Sequence, residues 1–178
     1  MKKALIVVDM LNDFVYGKLK CKRGIKMVPT LVKVLTYARK NNIPIIFSND
    51  EHLDKIDREF KVWGPHALKG SEGAKVIKEL NLNPKKDYIV PKRRYSGFFQ
   101  TSLDALLREL KIDTVIITGL HTHMCCRHTA ADAFQLGYNI EVISDCIDSF
   151  TEEDYISGLK YLKEVYGAKI YSSKEFIK

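Results

Sequence analysis

The chain has 178 residues, 46% of them hydrophobic, and a formal net charge of +7. That is enough apolar material for one sizeable core, so a single domain over residues 1–178 is the simplest organisation. No apolar run reaches the roughly 18 residues of a membrane span, and Met1-Lys2-Lys3 leads into a strand rather than a signal-peptide core, so a cytoplasmic protein without a membrane partner is expected. Lys and Arg are spread over helices and turns with no nucleic-acid module among them, so the charge reads as solvated surface and no nucleic-acid partner is expected.

Ala4 to Val8 reads as a strand buried on both faces, and Val28, Leu31, Val32, Leu35 and Ala38 mark one face of a helix ended by Asn41-Asn42. A second strand is predicted from Pro44 to Ser48. An irregular charged stretch follows, then a short helix near Ala74 to Leu80, a strand at Tyr88 to Val90, and a helix with Leu103, Leu106, Leu107 and Leu110 on one face. Thr114 to Thr118 is the fourth strand, Cys125 to Leu136 a helix closed by Gly137, and Ile140 to Ser144 the fifth strand. Tyr155, Ile156, Leu159, Leu162 and Val165 stripe the last long helix, and Ala168 to Tyr171 is the final strand. This alternation predicts an α/β fold: a six-stranded, mainly parallel sheet in a three-layer α/β/α arrangement of Rossmann type.

In such sheets ligands bind outside the carboxyl ends of the strands. Asp9 ends the first strand, Asp50 follows the second, Lys92 the third, and Cys125 sits just beyond the fourth. A cysteine at a helix start meets unpaired N–H groups that favour thiolate, and it needs a base and a cation nearby, which Asp9 and Lys92 can supply. Four cysteines (Cys21, Cys125, Cys126, Cys146) in a chain this long do not form a disulfide framework or a Cys-x-x-Cys zinc pattern. Cys126 lies about 100° around the helix from Cys125, so one of the pair should face the site and the other the core. All five histidines fall in two segments, His52 and His66 after strand two, and His121, His123 and His128 around the cysteine. Asp50, His52 and His66 offer one carboxylate and two imidazoles, a set suited to zinc first, with iron and manganese as alternatives.

With Asp9, Lys92 and Cys125 in place, the chain resembles the isochorismatase-like cysteine hydrolases, the superfamily of nicotinamidases and N-carbamoylsarcosine amidases. The carriers are Ile6-Val7-Val8-Asp9-Met10-Leu11-Asn12-Asp13-Phe14, Lys92 with Tyr95-Ser96-Gly97-Phe98 and Thr101-Ser102-Leu103, and Gly119-Leu120-His121-Thr122-His123-Met124-Cys125 with Thr129-Ala130-Ala131-Asp132-Ala133. The resemblance implies a triad of Asp9, Lys92 and Cys125, a cis peptide between Leu120 and His121, and an oxyanion hole from the N–H groups of His121 and Cys125. Metal-dependent nicotinamidases are similar at Asp50, His52 and His66, with an aromatic three residues before the last histidine, where Trp63 stands. Phe14 and Trp63 would then wall a flat substrate.

The expected activity is hydrolysis of a small amide through a thioester, with ammonia released, nicotinamide being the leading substrate and a divalent metal but no organic cofactor required. The runner-up is an N-carbamoylsarcosine amidase-like hydrolase of a carbamoyl or ureido compound, for which Arg93, Arg94 and Arg127 are candidate carboxylate partners. A different class is a non-catalytic or redox-sensing relative using Cys125 and Cys126. Here His121 replaces the small residue common at that position in nicotinamidases, and Glu51 the tryptophan between the first two metal positions. Apolar helix surface left over once the sheet is covered favours self-association, and the resemblance implies a homo-oligomer, a dimer or tetramer.

Overall fold

The computed structural model describes residues 1–178. Strand β1 (Lys3–Val8) is followed by one helical turn, α1 (Asn12–Val15), and by the long helix α2 (Lys22–Lys40). Next come β2 (Ile45–Asp50), the single turn α3 (Phe60–Trp63), β3 (Tyr88–Lys92) and α4 (Leu103–Glu109). Strand β4 (Thr114–Leu120) leads through a π-helical turn at Thr122–Cys126 into α5 (Arg127–Gln135). Strand β5 (Asn139–Asp148), α6 (Glu152–Tyr166), β6 (Lys169–Tyr171) and α7 (Ser173–Phe176) complete the chain.

The strands form one six-stranded sheet in the order β3-β2-β1-β4-β5-β6, and every pairing is parallel. The expected sheet was mainly parallel; the observed one is wholly so. Alternation along β1 divides the core. Leu5 and Val7 pack with Val28, Leu31 and Leu35 of α2, whereas Ala4, Ile6 and Val8 pack with Leu103 and Leu107 of α4, Ala130 and Ala133 of α5, and Leu162 of α6. Each such fully buried Val, Leu or Ile side chain contributes about 1.5–3 kcal/mol, so both faces of the sheet must be covered and three layers result. No helix is long and apolar enough to cross a membrane.

Three local expectations are corrected. Ala74, Ile77 and Leu80 mimic a helical face, yet the segment forms two 3-10 turns, Glu72–Ala74 and Lys78–Leu80. The residues between them are extended, because Val76 bridges to Leu11 and the Ile77 N–H donates to the Met10 carbonyl at 3.0 Å. Strand β5 continues to Asp148, its pairing with β4 resuming at Ile147 after a register shift. The helix expected to start at Cys125 starts at Arg127, with the π-helical turn before it.

Strand order changes direction between β1 and β4, which leaves a crevice at the carboxyl ends of these neighbours. Gly119 permits their close approach: its φ is +103°, and a Cβ there would stand 2.1 Å from the Val8 carbonyl oxygen. Gly158 of α6 does the same for the cysteine-bearing turn, since a Cβ would meet Thr122 Cγ2 at 2.8 Å.

Candidate active site

Four strands deliver their terminal residues to the crevice. Asp9 follows β1 directly, held at φ +50° with its N–H donating to the Ser48 carbonyl at 3.1 Å. Asp50 and Lys92 end β2 and β3 and are register partners. The Lys92 ammonium lies 2.7 Å from Asp9 Oδ2 and 2.6 Å from Asp50 Oδ1, and all three side chains are buried. Asp9 Oδ1 accepts the Asp50 N–H at 2.7 Å. Burial and the Asp50 charge raise the Asp9 carboxyl from 3.8 to about 6, against the pull of Lys92. Burial alone would lower the Lys92 ammonium, but Asp50 and Asp9 outweigh it and hold the group charged.

The Cys125 sulfur and oxygens of Asp9 and Asp50 lie within 4.8 Å of one another. Burial pushes the thiol well up, Lys92 counters, and the two carboxylates push it further up. A buried π-helical turn beside two acids favours the protonated thiol over the thiolate that unpaired N–H groups would favour, in keeping with the need for a base. Cys126 is fully buried against β4, its sulfur 3.9 Å from the Thr118 carbonyl, while Cys125 lines the cleft. The peptide between Leu120 and His121 is cis.

Beside the thiol, donor atoms of Asp50, His52, Glu59 and His66 gather within 4.8 Å of one another, all buried. Asp57 accepts from His52 Nδ1 at 3.1 Å, and the Gly64 carbonyl accepts from His66 Nδ1 at 2.7 Å. Both rings therefore turn Nε2 away from those partners, and His52 Nε2 is buried with no hydrogen-bond partner. An orphaned imidazole nitrogen beside two carboxylates and a second imidazole fits a divalent cation. Asp57 is itself fixed by Arg93, whose Nε lies 2.9 Å from Oδ1. Burial and the Asp50 charge raise Glu59 to about 7.

Sequence reading missed Glu59, because it stands in the irregular stretch after β2 where no periodicity marks it. An acid between His52 and His66 was the available signal. Asp13 also has a supporting part: buried, it accepts the Ala67 N–H at 2.8 Å and so fixes the backbone next to His66.

Phe14 and Trp63 line a narrow cleft together with Leu19, Asp50, Glu59, His66, His121 and Cys125. Tyr95, Met124 and Phe150 complete its walls and were not predicted. Phe150 could have been found, since it comes just after β5 and so at the edge where the site had to be. Trp63 Nε1 donates to the Tyr95 hydroxyl at 3.0 Å, and Phe150 stacks on both Trp63 and His121, at 6.1 and 3.9 Å between centroids. Of the three arginines considered for a carboxylate, Arg93 is taken by Asp57 and Arg127 lies 4.3 Å over the Tyr161 ring. Of the three, only Arg94 lines the open groove that meets the cleft at Glu59 and Tyr95.

A doubly wound α/β protein with a thiol, a lysine and paired acids at its switch point defines a class of small-molecule site. The chain belongs to the isochorismatase family, for the Isochorismatase domain matches residues 3–175. The N-carbamoylsarcosine amidase of Thermoplasma acidophilum is 39% identical, with 97% of each chain covered and a TM-score of 0.90. The pyrazinamidase of Pyrococcus horikoshii in complex with zinc is 28% identical, covering 97% of this chain and 99% of that one, with a TM-score of 0.87. An Arabidopsis thaliana relative described as a probable inactive nicotinamidase is 32% identical over 91% of this chain and 88% of its own length.

Proposed function

We propose that the protein is a cysteine amidohydrolase that cleaves a small amide and releases ammonia. The observation that carries this reading is the buried Asp9–Lys92 pair beside the Cys125 thiol. Asp9 takes the thiol proton as the sulfur attacks the amide carbon, and the carbonyl electron pair moves to oxygen. The N–H groups of His121 and Cys125 hold that oxyanion, and the fixed charge of Lys92 balances the acids around it. When the C–N bond breaks, Asp9 returns its proton to the departing nitrogen and a thioester remains on Cys125. Asp9 then takes a proton from water, the hydroxide adds to the thioester, and the C–S bond breaks as Asp9 returns that proton to the sulfur, giving acid and thiol.

A divalent cation, zinc first, would be held by Asp50, His52 and His66, with Glu59 as a fourth donor. Bound there, it supplies a Lewis-acidic point that orients the substrate. Two substrate classes compete. The aromatic walls Phe14 and Trp63 support a flat ring amide such as nicotinamide, whereas likeness to an N-carbamoylsarcosine amidase supports a carbamoyl compound. For assembly, the exposed Phe134, Leu136, Ile156 and Val165 on and beside α5 and α6 support the homo-oligomer.

The test is ammonia release from nicotinamide and N-carbamoylsarcosine, with and without zinc, beside Cys125→Ala. Turnover abolished by the substitution is expected, together with an acyl adduct on Cys125 in mass spectra. Reversible oxidation of the Cys125 and Cys126 thiols without any amide turnover would instead make the chain a redox sensor.

A further inference from the structure

We infer that the His121 imidazole is the specificity-determining residue, hydrogen-bonding the non-reacting end of an uncharged carbamoyl or ureido substrate; this rests on the amidohydrolase reading. His121 is 1% exposed, and both of its ring nitrogens are buried without a partner. The other four histidines each have one: Asp57 for His52, the Gly64 carbonyl for His66, the Ser149 hydroxyl for His123 and the Met124 carbonyl for His128. Buried polar atoms in native proteins are normally satisfied, so two orphaned nitrogens on one ring require partners from outside the chain. The ring lines the cleft beside Cys125, and stacking on Phe150, at 3.9 Å and 27° between planes, fixes its plane.

Burial pushes the His121 imidazole down to about 3, so at neutral pH it carries one N–H donor and one bare acceptor. Its complement is a group with both an acceptor and an N–H, as in –NH–C(=O)–. A pyridine ring carries no N–H to offer beyond its scissile amide. Phe14 packs against both rings, 5.5 Å from His66 and 6.1 Å from His121 between centroids, so a substrate lying on Phe14 is within reach of His121. No lysine or arginine lines the cleft, and Lys92 is engaged by Asp9 and Asp50. A carboxylate at the His121 end thus meets no cationic side chain, which favours an uncharged compound.

The experiment compares acetylurea, N-carbamoylglycine and nicotinamide in the wild type, His121→Phe and His121→Asn. Phenylalanine keeps a flat ring against Phe150 and removes both nitrogens; asparagine restores a donor and an acceptor. The expected result is preference for acetylurea over N-carbamoylglycine, and a fall of about tenfold or more in the acetylurea-to-nicotinamide ratio of kcat/KM for His121→Phe, carried by KM. His121→Asn should recover part of it. Equal losses on both substrates, an unmoved ratio, or preference for the anionic N-carbamoylglycine would overturn the proposal. Calorimetric binding of acetylurea to Cys125→Ala, with and without His121→Phe, keeps the two readings apart. If no amide releases ammonia, the hydrolase reading fails, yet a tenfold loss of affinity still supports His121 and an unchanged or absent affinity still refutes it. Should His121→Phe not fold, His121→Gln against His121→Leu gives the same comparison.

Discussion

Asp9 is asked to be a base, and its surroundings set the pH at which it can serve. Burial and the neighbouring Asp50 raise its carboxyl to about 6, so the ionised form that accepts the thiol proton is lost below that value. We expect kcat/KM to fall about tenfold per pH unit below pH ~6, and a limb near pH 4 in the pH–rate profile would show that burial does not raise this group. The stability consequence has the sign opposite to that of a salt-bridged surface acid. Between 3.8 and about 6 the folded state holds the Asp9 proton more tightly than the unfolded chain does, so this group withdraws stability as pH rises through that window. Asp57 works the other way: against the cost of burial, Arg93 and the Leu53 N–H hold it far below its ordinary value. Its stabilisation is complete above about pH 4 and is lost on acidification below it. One buried acid is raised toward neutral pH and the other is held charged.

At the scale of elements, the close contact of β1 with β4 brings Asp9 and the Cys125 turn together. Gly119→Ala would place a methyl 2.1 Å from the Val8 carbonyl oxygen at a φ of +103°. We expect a loss of about 3 kcal/mol, a fall of roughly 6–12 °C in Tm for a chain of this size; a variant melting within a degree of wild type would show that the strands can part without cost. The same elements show what a sequence can disclose. Strands β1 and β4 were legible because Ala4–Val8 and Val115–Thr118 are apolar or small runs that only a two-sided core accepts. The residues ending them were legible as a site because topology directs strand ends to one edge. Residues 51–76 were opaque beyond His52, Trp63 and His66: their conformation depends on contacts such as Asp13 with the Ala67 N–H and Asp57 with Arg93, which join positions far apart in sequence. Glu59 and the true course of residues 74–80 were hidden for that reason. Cys21 was opaque too. It lies in a basic loop in the sequence, yet its sulfur caps α2 through the Gly24 N–H and contacts the Ser149 carbonyl, each at 3.2 Å.

For the molecule as a whole, the long connection between β2 and β3 is held at one edge by few regular elements, a single helical turn and two 3-10 turns. The candidate metal cluster takes Asp50 from the sheet and His52, Glu59 and His66 from this connection, so a cation there would tie the segment to the strand end. A ligand that binds only the folded state stabilises it by mass action, about 2.7 kcal/mol at a free concentration one hundred times Kd. Zinc should therefore raise Tm by roughly 5–10 °C, and a chelator should reverse the rise. Replacing His66 by alanine should abolish the zinc response while leaving the triad in place. Asp57→Asn is the finer probe, because Asp57 orients His52 without belonging to the cluster. We expect zinc affinity to drop on the order of 10–100-fold, so that the thermal response survives but needs correspondingly more metal. A response to zinc that is equal in wild type and His66→Ala would place the ion elsewhere and leave these four residues as a polar buttress for Lys92.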